Sequence, residues 1–276
     1  MKLTIKKCLI PLPLPWNGVL SGAVLENTCT IDNMLYFFHV LQYENETIRN
    51  TFEKSHLRVE KILHKIHCLF KDNKWSEGKC LWASEVINLQ IEDKVELYGN
   101  EGELSFNHVS DRANTAYKST CSSSNCPEKV SLHVNKHIYF NAPSIEINNL
   151  QKAIDSWLQN DKEVLCNKDG CTGVRKHHPR RFVLGKVPDY FVLPLEFCPW
   201  QGNLPPFIKI EKQKFRLKVV TYGNGHHFNS SLNYNGKWFS YDGLREYHEP
   251  GTGVRLQTKQ QAPKMYHPSH CLFVKE

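Results

Sequence analysis

The stretch CTIDNMLYFFHVLQ, residues 29–42, constrains the fold more than any other part of the chain. Ile31, Met34, Leu35, Phe38 and Leu41 follow the i, i+3, i+4, i+7 spacing of one helix face. Phe37 and Val40 carry the apolar surface round most of the cylinder. Such a helix has to run through a core rather than lie on its surface. With 276 residues, the chain can supply that core as one large domain or two small ones.

Residues 46–70 repeat helical spacing through Leu57, Val59, Ile62, Ile66 and Leu69 among charged side chains, and Trp82 to about Leu104 reads as mixed. From Lys129, KVSLHVNKHIYF alternates as a strand or hairpin does. Residues 146–159 return to helical spacing through Leu150, Ile154 and Leu158. Beyond Arg181 the chain reads as strands: RFVL, DYFVLPLEF, PFIKI, KFRLKVVTY, FNSSLNY and KWFSYD. Helices, then a cysteine-rich insert, then a β-rich half predict an α+β fold with helices on one side of a largely antiparallel sheet.

Composition narrows the class. Apolar residues make up 40% and charged residues 23%, with 14 Phe, 11 Tyr and 6 Trp, which is globular and too aromatic for disorder. No apolar stretch reaches 18 residues, so no membrane span is expected. The opening MKLTIKKCLIPLPLPW has lysines before apolar residues, as a secretory leader does. Prolines 11, 13 and 15 interrupt the run and no small-residue cleavage site follows closely, so an extended arm over about residues 1–28 is expected. Ten cysteines without a dense framework, in a chain too large to need stapling, fit a reducing compartment, nuclear or cytoplasmic. The sequons at Asn45 and Asn229 then carry no glycan. A net charge of +7 suits an acidic partner without naming one.

Cys29 stands at the front of the apolar helix, behind Asn27 and Thr28, residue types favoured at N-caps. A helix N-terminus stabilises a thiolate through open N–H groups and the positive end of the dipole, and the same N–H groups can face an oxyanion. A buried structural cysteine is the competing reading. The second stretch, KFRLKVVTYGNGHHFNSSLNYNGKWFSYDGL at 214–244, runs a strand into His226-His227, a second strand, an aromatic pair and Asp242. A thiol hydrolase needs an imidazole to take the thiol proton and a carboxylate to orient it. A histidine at one strand edge and an aspartate at the end of the next can meet across a hairpin. Gly223 and Gly225 would let backbone approach a substrate closely. A surface histidine pair in a turn is the bland alternative.

Together these two stretches resemble the ubiquitin-specific protease family, papain-like cysteine proteases that remove ubiquitin or its relatives. The first box corresponds to Asn27, Thr28, Cys29 and Leu35. The second corresponds to Phe215, Leu217, Val219, Val220, Gly223, His227, Phe228, Trp238, Phe239, Tyr241 and Asp242. VPDYFVLPLEF at 187–197 resembles the strand that family places before its histidine box. The resemblance implies a papain-like fold with a helical thumb (29–118), a fingers insert (119–175) and a β-rich palm (176–276), all within one catalytic domain over 1–276. It implies Cys29 as nucleophile, His227 as base and then acid, and Asp242 as orienting carboxylate, with no cofactor for the chemistry. Val24 stands where the family has an oxyanion asparagine, which leaves Asn27 or the Cys29 backbone N–H for that role. His226 is the alternative base. Asp32, where the family has asparagine, is similar to the divergent ubiquitin-specific-peptidase-like SUMO isopeptidase.

CSSSNC at 121–126 and CNKDGC at 166–171 form two C-x4-C pairs. Four thiolates from two turns suit tetrahedral structural zinc held by Cys121, Cys126, Cys166 and Cys171. Unliganded or disulfide-paired cysteines stay open on spacing alone; the resemblance adds a four-cysteine zinc ribbon at the fingers. RKHHPRR at 175–181 reads as a solvated loop before a phosphate site, and His64, His67 and Cys68 read as packing or surface residues. The expected activity is therefore hydrolysis of the (iso)peptide bond after the C-terminal glycine of ubiquitin. SUMO is the alternative modifier, and a non-catalytic modifier-binding or nucleic-acid-binding module is the rival. Nucleic acid and membrane are not expected partners.

Overall fold

The computed structural model describes residues 2–5, 8–135, 150–195 and 204–276. It divides into two compact units, Met1–Val109 with Lys218–Leu272, and Ser110–Leu217 with Phe273–Glu276. Among the described residues no helix is long and apolar enough to cross a membrane.

Unit 1 opens with an antiparallel pair, β1 (Lys2–Ile5) and β2 (Cys8–Pro11), followed by the hairpin β3 (Gly18–Leu20) and β4 (Ala23–Glu26). Pro13 and Pro15 in the proline-rich link between them have no N–H to give to a ladder. Buried side chains take its carbonyls instead: Tyr36 Oη donates to Pro11 O at 2.9 Å and Lys79 Nζ to Asn17 O at 2.8 Å and to Pro15 O. The expected extended arm is thus fastened to the core, and Ile10 and Leu14 are fully buried.

Helix α1 (Cys29–Glu44) is buried at every residue from Cys29 to Gln42, as its all-round apolar sequence requires. Residues 46–70 form two helices rather than one continuous run, α2 (Glu46–Glu53) and α3 (Arg58–Lys71). Ser55 makes the break: its Oγ accepts from Leu57 N at 3.0 Å and donates to Glu60 Oε2 at 2.5 Å, a local alternative to continuing the helix. Helix α4 (Trp75–Glu85) packs on α3. His67 is buried among the rings of His39 and Tyr43, while Cys68 is exposed. β5 (Lys94–Glu96) then pairs parallel to β4, and α5 (Glu101–Leu104) follows.

In unit 2, β6 (Thr115–Cys121) and β7 (Val130–Asn135) form a hairpin. α6 (Leu150–Gln159), β8 (Glu163–Leu165), β9 (Val174–His177), β10 (Arg181–Phe182), β11 (Tyr190–Pro194) and β12 (Phe207–Ile210) follow. The β6–β7 hairpin reverses the usual pattern. Ser119 and Ser131 point inward, whereas Val130, Leu132 and Val134 are 47%, 74% and 59% exposed. The inward face is polar because it surrounds Arg175, so RKHHPRR is not the solvated loop the sequence suggested. Arg175 is 5% exposed, and Arg180 lies over the Tyr117 and Trp157 rings at 4.5 and 4.7 Å. The parts of the strand, helix and box readings at 136–140, 146–149 and 196–197 lie outside the described residues.

The last stretch holds β13 (Gln213–Gly223), β14 (Phe228–Tyr234), β15 (Lys237–Tyr241), α7 (Gly243–His248), β16 (Val254–Gln257) and β17 (His267–Lys275). Within unit 1, β13 from Lys218 onward, β14, β15 and β16 pair antiparallel, and α1 lies against β14. Asn235 and Gly236 join β14 to β15 with φ of 49° and 76°, the left-handed pair a two-residue hairpin demands. The α+β organisation read from the sequence is the one observed.

A buried ion pair closes the core at the start of α1. Lys79 Nζ lies 2.8 Å from Asp32 Oδ1, with exposures of 0% and 1%. Burial pushes the Asp32 carboxyl up and the Lys79 ammonium down, and each partner opposes the other's shift. Lys79→Met leaves Asp32 uncompensated, and thermal or denaturant unfolding should show a loss of about 3–5 kcal/mol; pairing it with Asp32→Leu should recover much of that loss.

Candidate active site

Thr28 is the residue before α1, yet it gives the helix no side-chain cap. Its Oγ accepts from Asn17 N at 2.7 Å and donates to Asp32 Oδ2 at 2.6 Å. The N–H groups of Ile31 and Asp32 go to Thr28 O, and those of Cys29 and Thr30 precede the first intrahelical bond. Cys29 therefore sits at an uncapped, electropositive helix start, 5% exposed, with its Sγ 3.9 Å from Asn27 O.

His227 and Asp242 are brought together by the β14–β15 hairpin. His227 directly precedes β14 and Asp242 directly follows β15, so both stand at the end away from the Asn235-Gly236 turn. His227 Nε2 lies 2.9 Å from Asp242 Oδ1. The same oxygen accepts from Leu244 N at 3.1 Å and Arg245 N at 3.3 Å, which fixes the carboxylate as the N-cap of α7. With Nε2 committed to Asp242, Nδ1 is the ring nitrogen left to exchange a thiol proton. Burial draws the His227 imidazole down, but the hydrogen bond to Asp242 and the influence of Cys29 outweigh it and hold the group up at about 9. Burial likewise pushes the Asp242 carboxyl up, and its hydrogen bond to His227 wins, leaving it below the ordinary carboxylate range.

The other sequence candidates are placed differently. His226 is exposed in the same turn; its N–H and that of His227 both go to Asn224 Oδ1, at 3.0 and 2.9 Å. Asn27 has φ 54° and its Nδ2 donates to Glu96 Oε1 at 2.7 Å, which leaves the first-turn N–H groups of α1 as the donors beside Cys29. Gly223 answers to packing, because a Cβ there would lie 2.8 Å from the Phe228 ring. Gly225 has φ 88°, and its carbonyl accepts from Tyr98 Oη at 2.8 Å. Asp32, which carries the likeness to the SUMO isopeptidase pattern, is buried in an ion pair with Lys79.

Sequence reasoning missed a buried carboxylate linked to the first turn of α1. Glu101 is fully buried and accepts from Thr221 Oγ1 at 2.7 Å and Asn33 Nδ2 at 3.4 Å, with His270 Nδ1 at 3.3 Å. Asn33 Nδ2 also donates to Cys29 O at 3.2 Å. The first turn of α1 is thereby tied to β13 and β17. Nothing in GNEGELS marks Glu101; the polar Ser269 and His270 at the head of apolar CLFV were the available signal.

In unit 2 the four candidate metal ligands converge. Sγ atoms of Cys121 and Cys171 lie 3.5 Å apart, those of Cys126 and Cys166 3.8 Å apart, and all four lie within 4.8 Å of one another. A tetrahedral ion with Zn–S bonds of about 2.3 Å spaces its sulfurs by about 3.8 Å, whereas a disulfide needs about 2.05 Å. All four are free thiols. The donor set fits zinc.

Several solved structures share this fold. The Saccharomyces cerevisiae PAN2 pseudoubiquitin-hydrolase aligns at a TM-score of 0.52 and 11% identity, over 92% of this chain and 87% of that one. The Neurospora crassa Pan2 catalytic unit, a protease and nuclease domain, gives 0.56 at 11% identity over 96% of this chain and 57% of that one. An essential yeast splicing factor gives 0.51 at 10% identity over all of this chain and 72% of that one. At such identities the likeness is one of fold, and at that level the resemblance to ubiquitin-specific proteases holds. The family model that matches is a different one. It is described as dopamine receptor-interacting protein 1, and it covers residues 14–249, a span that contains Cys29, His227, Asp242 and the four clustered cysteines. The chain belongs to the dopamine receptor-interacting protein 1 family.

Proposed function

We propose that this protein is a thiol hydrolase that cleaves the (iso)peptide bond after the C-terminal glycine of ubiquitin or a ubiquitin-like modifier. One arrangement carries the reading: His227 is bonded to Asp242 at 2.9 Å and its imidazole is held up at about 9 by that carboxylate and by Cys29, a cysteine at an uncapped helix start. The Cys29 thiolate attacks the glycine carbonyl carbon, and the oxygen's growing charge faces the first-turn N–H groups of α1. His227 gives its Nδ1 proton to the departing amine, and a thioester remains. Water then gives a proton to His227 and attacks the thioester, releasing the thiolate and the modifier's C-terminal acid, which loses its proton to solvent. Asp242 holds the imidazole's orientation throughout.

Ubiquitin comes before SUMO as the modifier, because the Asp32 cue is accounted for inside the core and the +7 charge alone names no partner. An intracellular setting, with modifier conjugates as partners, follows from that chemistry and from free thiols. Zinc at Cys121, Cys126, Cys166 and Cys171 plays a structural role within unit 2. A second reading, non-catalytic modifier binding, is favoured by the 5% exposure of Cys29. Matched ubiquitin and SUMO electrophilic C-terminal probes decide: trapping of Cys29 by the ubiquitin probe is expected, trapping by the SUMO probe alone reassigns the modifier, and trapping by neither favours the second reading.

Cys29→Ala and His227→Ala should each lower hydrolysis by at least about 10⁴-fold with the fold retained. His226→Ala, an exposed change, should stay within a factor of about two.

The pH profile tests the ion pair. His227 is protonated in the folded protein up to about 9, above its ordinary 6.5. Its contribution to stability is therefore complete below about pH 6.5 and lost as pH rises through about 9, whereas that of Asp242 is present above its ordinary range and lost in acid. Hydrolysis should fall off through about pH 9, and Asp242→Asn should move that alkaline limb to lower pH.

Elemental analysis should find one zinc per chain. Cys121→Ser or Cys166→Ser should lower the unfolding temperature while leaving the pH profile of any remaining activity in place.

A further inference from the structure

We infer that Arg175 is the built-in counter-ion of a tetrathiolate metal centre at Cys121, Cys126, Cys166 and Cys171. The inference rests on the zinc reading above and extends it to the charge around the site. Arg175 stands on β9 and is 5% exposed, and a guanidinium stays charged wherever it is placed. Its Nη1 donates to Ser131 Oγ at 2.6 Å and Ser119 Oγ at 3.2 Å. Its Nη2 donates to Glu128 O at 2.8 Å, and to the Sγ atoms of Cys166 and Cys126 at 3.5 and 3.7 Å. None of these partners is a carboxylate, and the Glu128 carboxylate is taken by Lys168.

A buried cation needs a counter-charge, and the sulfurs are what the fold places against it. Their charge depends on their chemical state. Four thiols or two disulfides carry none. Four thiolates around a divalent cation carry a net charge of −2, half of which one guanidinium offsets. Arg175 thus fits the metal-bound state and neither of the others. Its N–H groups also engage one sulfur from each C-x4-C pair, Cys126 and Cys166, and so clamp the two turns together on the ion. Ser119 and Ser131, the inward polar residues of β6 and β7, aim the fork.

The test is the rate at which the purified protein surrenders zinc to a chromophoric chelator, with metal content read by native mass spectrometry. Arg175→Met should release zinc at least about tenfold faster than wild type, the low end of what losing a hydrogen-bond partner of a metal ligand costs. Arg175→Lys, which keeps the charge without the fork, should fall between the two. Ser131→Ala should speed release by a smaller factor, and together with Arg175→Lys it keeps the test decisive if Arg175→Met fails to fold. Zinc-bound wild type with release rates unchanged in these variants would overturn the role of Arg175 alone. Wild type without zinc, its four cysteines open to alkylation or joined as disulfides, would overturn the metal reading with it.

Discussion

The Asp32–Lys79 pair is the constraint on which the rest of unit 1 depends. It joins the first turn of α1 to α4, and Lys79 reaches on to the carbonyls of Pro15 and Asn17. Thr28 is drawn into the same cluster, which is why it leaves the helix uncapped beside Cys29. One interior charge pair therefore fixes where the helix that carries Cys29 starts. Buried pairs of this kind are weak contributors to net stability but demanding about geometry, because no other arrangement satisfies both charges.

How much of this was legible varies with the kind of signal. The all-round apolar run of α1 announced a buried helix, and strand alternation announced the C-terminal sheet, since both are periodic and set by burial alone. The split of residues 46–70 was hidden because it turns on one serine, Ser55, whose hydroxyl replaces a backbone bond. The insert was legible as strands but not as to facing: KVSLHVN reads as apolar-in, yet its serines face inward toward Arg175.

The candidate site divides the same way. Cys29, His227 and Asp242 were readable because their positions follow from chain order and hairpin geometry. The direction of the Asn27 amide was not, because it depends on a left-handed backbone angle and on Glu96, 69 residues away. Lys79 and Glu101 left no local pattern at all. Each is a charged residue inside the core, held by partners from distant segments that no sequence window contains.

The fastening of the proline-rich arm has a consequence for how the chain is made. Its carbonyls are met by residues synthesised much later: Pro11 by Tyr36, Pro15 by Lys79, and Leu14 by Tyr241 at 3.0 Å, 227 positions along the chain. The arm leaves the ribosome before all three partners and is satisfied only when they have followed. Until Tyr241 has emerged, the groove it will occupy is missing a wall, and the stretch that includes fully buried Ile10 and Leu14 stays in water. Proline is well suited to that wait. Three rings within five residues hold the segment extended and offer few N–H groups for a neighbouring strand to capture, so the arm keeps its docking shape without joining a wrong sheet.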